Sequence, residues 1–409
     1  MAYNWYYELD NFKKQNMIFS KIDNKNKCKS IFAGGEVYDE YAPNMLYTWA
    51  YQPDLPDHAK YLKLYVAAGK YEDYIFAKNK IKFGSLQSNI KNVLKSYSIC
   101  GYDPREYCLD EMVDSDVIGE YFNIMNETMQ NILDNVPEPE NYEQLSKIEK
   151  ITADIASRQL NLNLSKIYDK QSDNRVKKLI RRYSKDTAYV NYNMFGTITG
   201  RLSTFPSSFP ILTLNKEYRR ILEPTNDLFL EFDYNAFELR VLLALSGKKQ
   251  PDDDMHDWNI HNVFKDTITR DEAKKRIFAW LYNPDSNDSS LDRYYEKNKI
   301  LKENYDGQHV ETIFKRKIES DNFHALNYLI QSTASDLFLE QVYKVFKLLK
   351  NKKSYVAMLI HDSMIIDFSK EDCELLEEIK KLFMNTRFGE FKAGVKIGHN
   401  LLDLRSSWK

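Results

Sequence analysis

Cysteine is scarce in this chain of 409 residues: Cys28, Cys100, Cys108 and Cys373 are the only four, with no Cys-x-x-Cys pair and no zinc spacing. Zinc ribbons are excluded, and reduced thiols in a cytosolic protein fit best. Long apolar runs are missing too. No segment approaches the length of a membrane span, and Met1-Ala-Tyr-Asn-Trp-Tyr-Tyr-Glu8 has no apolar signal core. A cytoplasmic protein is expected, in the host cytoplasm if the gene is viral. Net charge is small, with 58 Lys and Arg against 60 Asp and Glu giving −2. That balance does not announce a nucleic-acid partner, but binding footprints are local and it does not exclude one. Internal repeats are absent, and residues 1–200 contain no Asp-x-Glu on a strand. What is plentiful is Lys, Asn, Ile and Tyr, the usage of an AT-rich genome such as a phage's or a plasmid's.

Two aspartates give the first positive signal. Asp233 ends the apolar run Leu228-Phe-Leu-Glu-Phe-Asp-Tyr234, which passes into the helix-like Phe237-Glu-Leu-Arg-Val-Leu-Leu-Ala-Leu-Ser246. Asp362 lies in Tyr355-Val-Ala-Met-Leu-Ile-His-Asp-Ser-Met-Ile-Ile-Asp-Phe368, where a polar His361-Asp362 break parts two β-rich runs. A carboxylate at such a strand end is costly to bury alone. Two of them brought together repel unless a cation sits between them. Hard oxygen ligands around two divalent ions about 3.5–4 Å apart make a phosphoryl-transfer site.

A third segment bears on what the metals are for. Arg270, Lys274, Phe278 and Tyr282 recur at four-residue spacing in Arg270-Asp-Glu-Ala-Lys-Lys-Arg-Ile-Phe-Ala-Trp-Leu-Tyr282. On an α-helix they form a slowly winding stripe roughly 18 Å long. Two cations, a ring and a tyrosine on one face suit a nucleoside triphosphate, phosphates to the cations and sugar and base to the rings. By itself the segment reads equally as an amphipathic helix with a solvated basic edge. Residues 166–185 are also basic, with Lys166, Lys170, Arg175, Lys177, Lys178, Arg181, Arg182 and Lys185. They suit a surface that tracks a duplex backbone, or a plain solvated helix face.

Together these segments resemble family A DNA polymerases, the bacterial DNA polymerase I type. Asp233-Tyr-Asn-Ala-Phe-Glu-Leu-Arg240 is similar to motif A, Asp-Tyr-Ser-Gln-Ile-Glu-Leu-Arg. Arg270-x3-Lys274-x3-Phe278-x3-Tyr282 is similar to motif B, with Asn283 where glycine is usual. Leu359-Ile-His-Asp362 resembles motif C, with Ser363 in place of glutamate. Thr199-Gly-Arg-Leu-Ser203 and Asn327-x3-Gln331-Ser-Thr-Ala-Ser-Asp336 resemble two lesser segments in the right order. Five collinear matches make a specific set.

The resemblance implies an α+β right-hand polymerase fold, with an antiparallel-sheet palm and helical fingers and thumb. It implies a DNA-directed DNA polymerase extending primer–template DNA with deoxynucleoside triphosphates, with processivity or replisome proteins as further partners and no membrane. Asp233 and Asp362, with the carbonyl of Tyr234, would hold two Mg²⁺, or Mn²⁺ as a substitute. Lys274 would neutralise the triphosphate and protonate the departing pyrophosphate, and Arg270 would hold the γ-phosphate side. His261, matching the family's phosphate contact only at Ile260-His261, reads almost equally as a surface histidine. Phe278 would stack on the nucleotide, and Glu238 with Tyr282 would exclude a 2′-hydroxyl. Arg201 and Gln331 would reach minor-groove acceptors, and Asn327 and His361 the primer or template near its terminus. For Phe278 and Tyr282 core packing is the plainer alternative. Phe323 stands where the family usually has arginine, so one DNA contact is expected to be missing.

The organisation expected is residues 1–138 without an assigned role, 139–227 thumb and palm entry, 228–250 palm, 251–322 fingers, and 323–409 palm again. Gly34-Gly35 and Pro53-Asp-Leu-Pro56 punctuate short β-like runs, and Pro137-Glu-Pro139 is the main break in the first half. Residues 140–185 read as one or two long polar helices. The length and the lack of Asp-x-Glu argue against a proofreading domain. Two rivals remain: a single-subunit RNA polymerase, which Glu238 and Phe278 disfavour, and a non-catalytic DNA-binding scaffold, which the survival of Asp233, Asp362, Arg270 and Lys274 disfavours.

Overall fold

The computed structural model describes residues 71–406 except Asp186, Pro284 and Asp285, and, before them, residues 18–19, 30–33, 36–39, 45–49, 51 and 58–67. The Gly34-Gly35 and Pro53–Pro56 breaks lie outside the described residues. Two compact units form, residues 1–157 and 158–409. No helix among the described residues is long and apolar enough to cross a membrane.

The first unit carries a small antiparallel sheet, β1 (Ile18–Phe19), β2 (Ile31–Ala33) and β3 (Glu36–Tyr38), and three long helices, α1 (Lys80–Ile99), α2 (Ser115–Asn135) and α3 (Tyr142–Ser157). In α2, Ile118, Phe122, Met125, Met129 and Ile132 recur every three or four residues and are buried, the stripe that drives a helix onto a core. They join Phe83 and Leu86 of α1 and Phe32, Trp49 and Leu62 in one apolar cluster. Asp114 caps α2 by accepting from the amide of Asp116. The expectation of four reduced thiols is corrected here. Cys100 and Cys373 are free and exposed, but Cys108 is disulfide-bonded, a pairing that linear spacing cannot reveal.

The second unit is built on β4 (Leu228–Tyr234), the hairpin β5 (His309–Glu311) and β6 (Lys317–Glu319), β7 (Tyr355–Ile360), β8 (Ser363–Phe368) and β9 (Ala393–Gly398). Its helices include α4 (Asn174–Tyr183), α5 (Phe237–Leu245), α6 (Met255–Asn262), α7 (Arg270–Tyr282), α8 (Ala325–Leu348) and α9 (Leu376–Met384). Four strands in the order β7-β8-β4-β9 make one antiparallel sheet, and α8 packs against α5 and α9. The architecture is α+β, as the sequence implied. β8 is buried along its whole length, so its apolar run does not alternate.

Two elements differ from the sequence reading. Residues 140–185 are not one or two long helices. After α3 the chain turns extended at Asn161–Leu162, pairs with Leu222–Glu223, and passes through a 3₁₀ stretch, Leu164–Lys170, before Asp173 caps α4. β9 was not foreseen, because glycines at both ends of Gly394-Val-Lys-Ile-Gly398 dilute a strand pattern.

The segment before β4 is fastened to α8 by a buried ion pair. Arg316 on the β5–β6 hairpin donates twice to Asp336, at 2.9 and 2.7 Å, with side chains 12% and 1% exposed. The guanidinium packs on Gly200, whose φ is +74° and where an added Cβ would lie 2.4 Å from it. Ser335 adds a 3.0 Å bond to the Gly200 carbonyl. Asp336→Ala should therefore lose about 3–5 kcal/mol of stability in urea titration, because it strands a buried cation. The paired change Arg316→Met with Asp336→Leu should recover most of that loss.

Candidate active site

β-sheet register brings the two aspartates together. Asp233 pairs across the sheet with Ser363, whose hydroxyl donates to the Asp233 carboxylate at 3.0 Å. β7 and β8 are joined by a two-residue turn, His361-Asp362, with Ile360 opposite Ser363 and His361 at φ +54°. That tight turn holds Asp362 beside Ser363 and so beside Asp233. Tyr192 steadies β7 from outside, with its hydroxyl accepting from the Leu359 amide and donating to the Leu359 carbonyl.

Burial makes both charges costly at this end of the sheet. Burial, with Glu238 and Asp233 nearby, pushes the Asp362 carboxyl up to about 6 against the pull of Arg201. Burial also raises Asp233, opposed by the Ser363 bond and Lys396. Tyr234, next along β4, has its ring stacked between Phe237 and Phe383.

Glu238, in the first turn of α5, is 8% exposed. Arg201 forms an ion pair with one of its carboxylate oxygens and the Tyr282 hydroxyl donates to the other. Burial first, then Glu238, raises the Tyr282 phenol above its ordinary range. Glu238 and Tyr282, expected together to exclude a 2′-hydroxyl, are in contact, and Arg201, expected at the minor groove, is tied to Glu238. Arg201, His361 and Asp362 border a cavity of about 40 Å³.

On α7, Ala273, Ile277, Trp280 and Leu281 are buried, leaving the predicted stripe outside. Phe278 and Tyr282 stack, centroids 5.6 Å apart, both 40% exposed, and the Lys274 ammonium lies 5.8 Å from the Phe278 ring. Core packing is thus not what fixes these two rings. Arg270 is held by Asp257 at 3.1 Å and by Asp254 at 3.2 Å. His261 pairs with Asp266 and makes no described contact with the stripe. Gln331 donates to Asn327 at 2.6 Å, one turn apart on α8. Asn283, where a glycine is usual, is extended at φ −107°, so asparagine fits without strain. Phe323 is 50% exposed.

Sequence reasoning missed three supporting residues. Arg240, fully buried, donates to the carbonyls of Asn235, Pro251 and Asp253 and ties the turn before α6 to α5. Asp254 caps α6 and holds Asn235 and Arg270. The run Pro251-Asp-Asp-Asp254 before a helix was a readable cap signal. His256 is buried, its ring 6.3 Å from Phe278, and its Nδ1 has no hydrogen-bond partner among the described residues. Burial lowers its pKa, with Arg270 and Lys274 adding to that and Asp254 opposing.

No family model matches the chain. Curated relatives include the thermostable DNA polymerase I of Thermus aquaticus, 26% identical over 247 residues, 48% of this chain and 30% of that one. DNA polymerase I of Borreliella burgdorferi is 23% identical over 278 residues, 55% of this chain and 30% of that one. DNA polymerase I of Aquifex aeolicus is 26% identical over 271 residues, 54% and 46%. Over about half its length this chain is similar in sequence to these DNA polymerase I proteins. The chain spans about a third to a half of the length of these relatives. Among solved structures, the POL domain of Pol1 from M. smegmatis, in complex with DNA primer-template and dNTP, aligns at TM-score 0.44 and 15% identity, over 81% of this chain and 66% of that one. Nothing in these matches supports a phage or plasmid source.

Asp254 makes the support of the stripe testable. Burial would raise its pKa, but bonds from Asn235 and the amides of Asp257 and His256, with Arg270, hold it down to about 2. A depressed carboxyl contributes stability above its unfolded pKa of about 3.9 and loses it as pH falls through the folded value. Asp254→Asn should therefore cost about 1–2 kcal/mol at pH 7, and the difference from wild type should shrink by about half at pH 3. Urea midpoints at the two pH values measure it.

Proposed function

We propose that this chain is a template-directed DNA polymerase that adds deoxynucleotides to a primer 3′-hydroxyl and carries no 3′–5′ exonuclease within its 409 residues. The observation that carries the reading is the meeting of two half-buried carboxylates, Asp233 and Asp362, with the Glu238–Tyr282 pair at one edge of an antiparallel sheet. Relationship to DNA polymerase I supports it. In this reading residues 228–250 and 323–409 are palm, 251–322 fingers and 139–227 thumb and palm entry.

Among the described residues no group of three or more His, Cys, Asp and Glu is arranged to hold a metal. Two carboxylates still fit Mg²⁺, which is bound through one or two of them plus substrate phosphates rather than in an all-protein cage. Burial raises the Asp362 carboxyl, with Glu238 and Asp233 adding to that and Arg201 opposing, and a divalent cation would act in the same direction as Arg201. Asp233 and Asp362, with the Tyr234 carbonyl, would hold Mg²⁺ or Mn²⁺, which when bound makes the 3′-hydroxyl more acidic and offsets charge on the triphosphate.

The chain's own side chains then divide the substrate. Lys274 and Arg270 bind the triphosphate, Arg270 exchanging Asp254 and Asp257 for phosphate, and Lys274 supplies a proton to the departing pyrophosphate. Phe278 stacks on the incoming base. His361, Asn327 and Gln331 contact primer and template. Arg201 has donors to spare: one guanidinium carries five N–H groups, so a minor-groove contact is compatible with the bond to Glu238. His261 is kept as a phosphate contact of the incoming nucleotide. Glu238 and Tyr282 disfavour an RNA polymerase, since together they fill the space a 2′-hydroxyl needs.

Asp233→Asn and Asp362→Asn should each abolish primer extension in Mg²⁺ while primer–template binding in a gel-shift assay survives. Near-wild-type extension by either variant would remove the assignment. Sugar choice gives a separate check. Glu238→Ala should raise ribonucleotide incorporation relative to deoxynucleotide by at least about tenfold, since excluding a 2′-hydroxyl by crowding and by an unmet hydrogen bond is worth more than about 1.4 kcal/mol. The readout is the ratio of kcat/KM for the two sugars, and an unchanged ratio would move the gate elsewhere.

A further inference from the structure

The basic stretch around α4 divides into two faces. Val176, Leu179 and Tyr183, at helical spacing, are buried. Arg175, Lys178 and Arg182 run alongside at the same spacing and border a cavity of about 290 Å³. Lys177 and Arg181 lie off that cavity. Its opposite wall comes from the segment 210–218, with Pro210, Leu214 and Tyr218. The floor is therefore aliphatic and the rim cationic.

The charges nearby are already arranged. Asp173 spends its carboxylate on the amide of Arg175 at 2.7 Å and the Tyr218 hydroxyl at 2.8 Å. Arg182 donates to the Ser207 carbonyl. Lys178 is exposed and forms no ion pair among the described residues. A ligand for this place must bring its own negative charge and one bulky apolar group.

Nucleic acid satisfies only the first requirement. Base stacking needs an exposed ring, and Tyr183 and Tyr218 are 9% and 7% exposed with their hydroxyls bonded to the protein. The volume is below that of sites for drug-sized ligands, about 300–1,000 Å³, and suits a single large side chain. We propose that this cavity docks an acidic peptide segment of a protein partner, which inserts one large apolar side chain between Leu179 and Leu214 and sets its carboxylates on Lys178 and Arg175. None of Asp233, Glu238, Asp362 or the α7 stripe lines this cavity, and what it docks does not depend on their roles.

Fluorescence anisotropy with a fluorescein-labelled peptide, Asp-Asp-Glu-Asp-Asp-Phe, tests it on the full chain. Saturable binding in the micromolar range is expected, weakening with salt. Replacing the peptide's Phe by Ala should weaken binding at least tenfold, as should Lys178→Glu or Leu214→Asp. Lys178→Glu changes an exposed residue, and an unchanged melting temperature would show that its fold is intact. Equal binding of the Phe and Ala peptides, or no effect of Lys178→Glu, would overturn the proposal. Displacement of the peptide by an equal concentration of oligothymidine would overturn it in favour of a nucleic-acid groove.

Discussion

Burial of two carboxylates that sheet register brings together is the constraint on which the candidate site depends. Register leaves no freedom: Asp233 faces Ser363, and a two-residue turn delivers Asp362 next to it. Burial then denies both charges the solvation that would screen them. One hydroxyl, Ser363, where the family has a carboxylate, replaces further repulsion with a hydrogen bond. What remains is a pair of carboxylates whose protonated forms burial favours.

Around this edge the chain arranges fixed partners outward. Arg316 and Asp336 clamp Gly200, Gly200 precedes Arg201, and Arg201 holds Glu238 against Tyr282. The buried pair that joins the β5–β6 hairpin to α8 is thus connected, through Gly200, Arg201 and Glu238, to the hydroxyl that ends the α7 stripe. Arg240 and Asp254 do the same for the other end of that stripe, through the turn before α6 and the Arg270 guanidinium. Strand ends set the carboxylates; ion pairs set everything that surrounds them.

Much of this was legible in sequence. The strands at Leu228–Tyr234, Tyr355–Ile360 and Ser363–Phe368 coincide with apolar runs, because a doubly covered strand has no reason to alternate. The α7 stripe was readable because the helix period is fixed and its other face is apolar. Tertiary partners were not legible. Nothing in the sequence pairs Arg316 with Asp336 or Arg201 with Glu238, and neither β9 nor the β5–β6 hairpin has the β-branched density of a strand signal. The segment 140–185 misled because polar, Lys-rich residues have good helix propensity, while the pairing of Leu162 with Leu222 overrides it.

We propose that Asp233 and Asp362 hold a divalent cation that offsets the cost of burying both charges. Thermal unfolding with and without Mn²⁺, in wild type and in the Asp233→Asn/Asp362→Asn double variant, tests it most directly. Without cation the double variant should melt at or above wild type, because it no longer buries two charges. Mn²⁺ should raise the wild-type melting temperature in a saturable way and leave the double variant unmoved. An equal rise in both proteins, or a double variant markedly less stable than cation-free wild type, would contradict it.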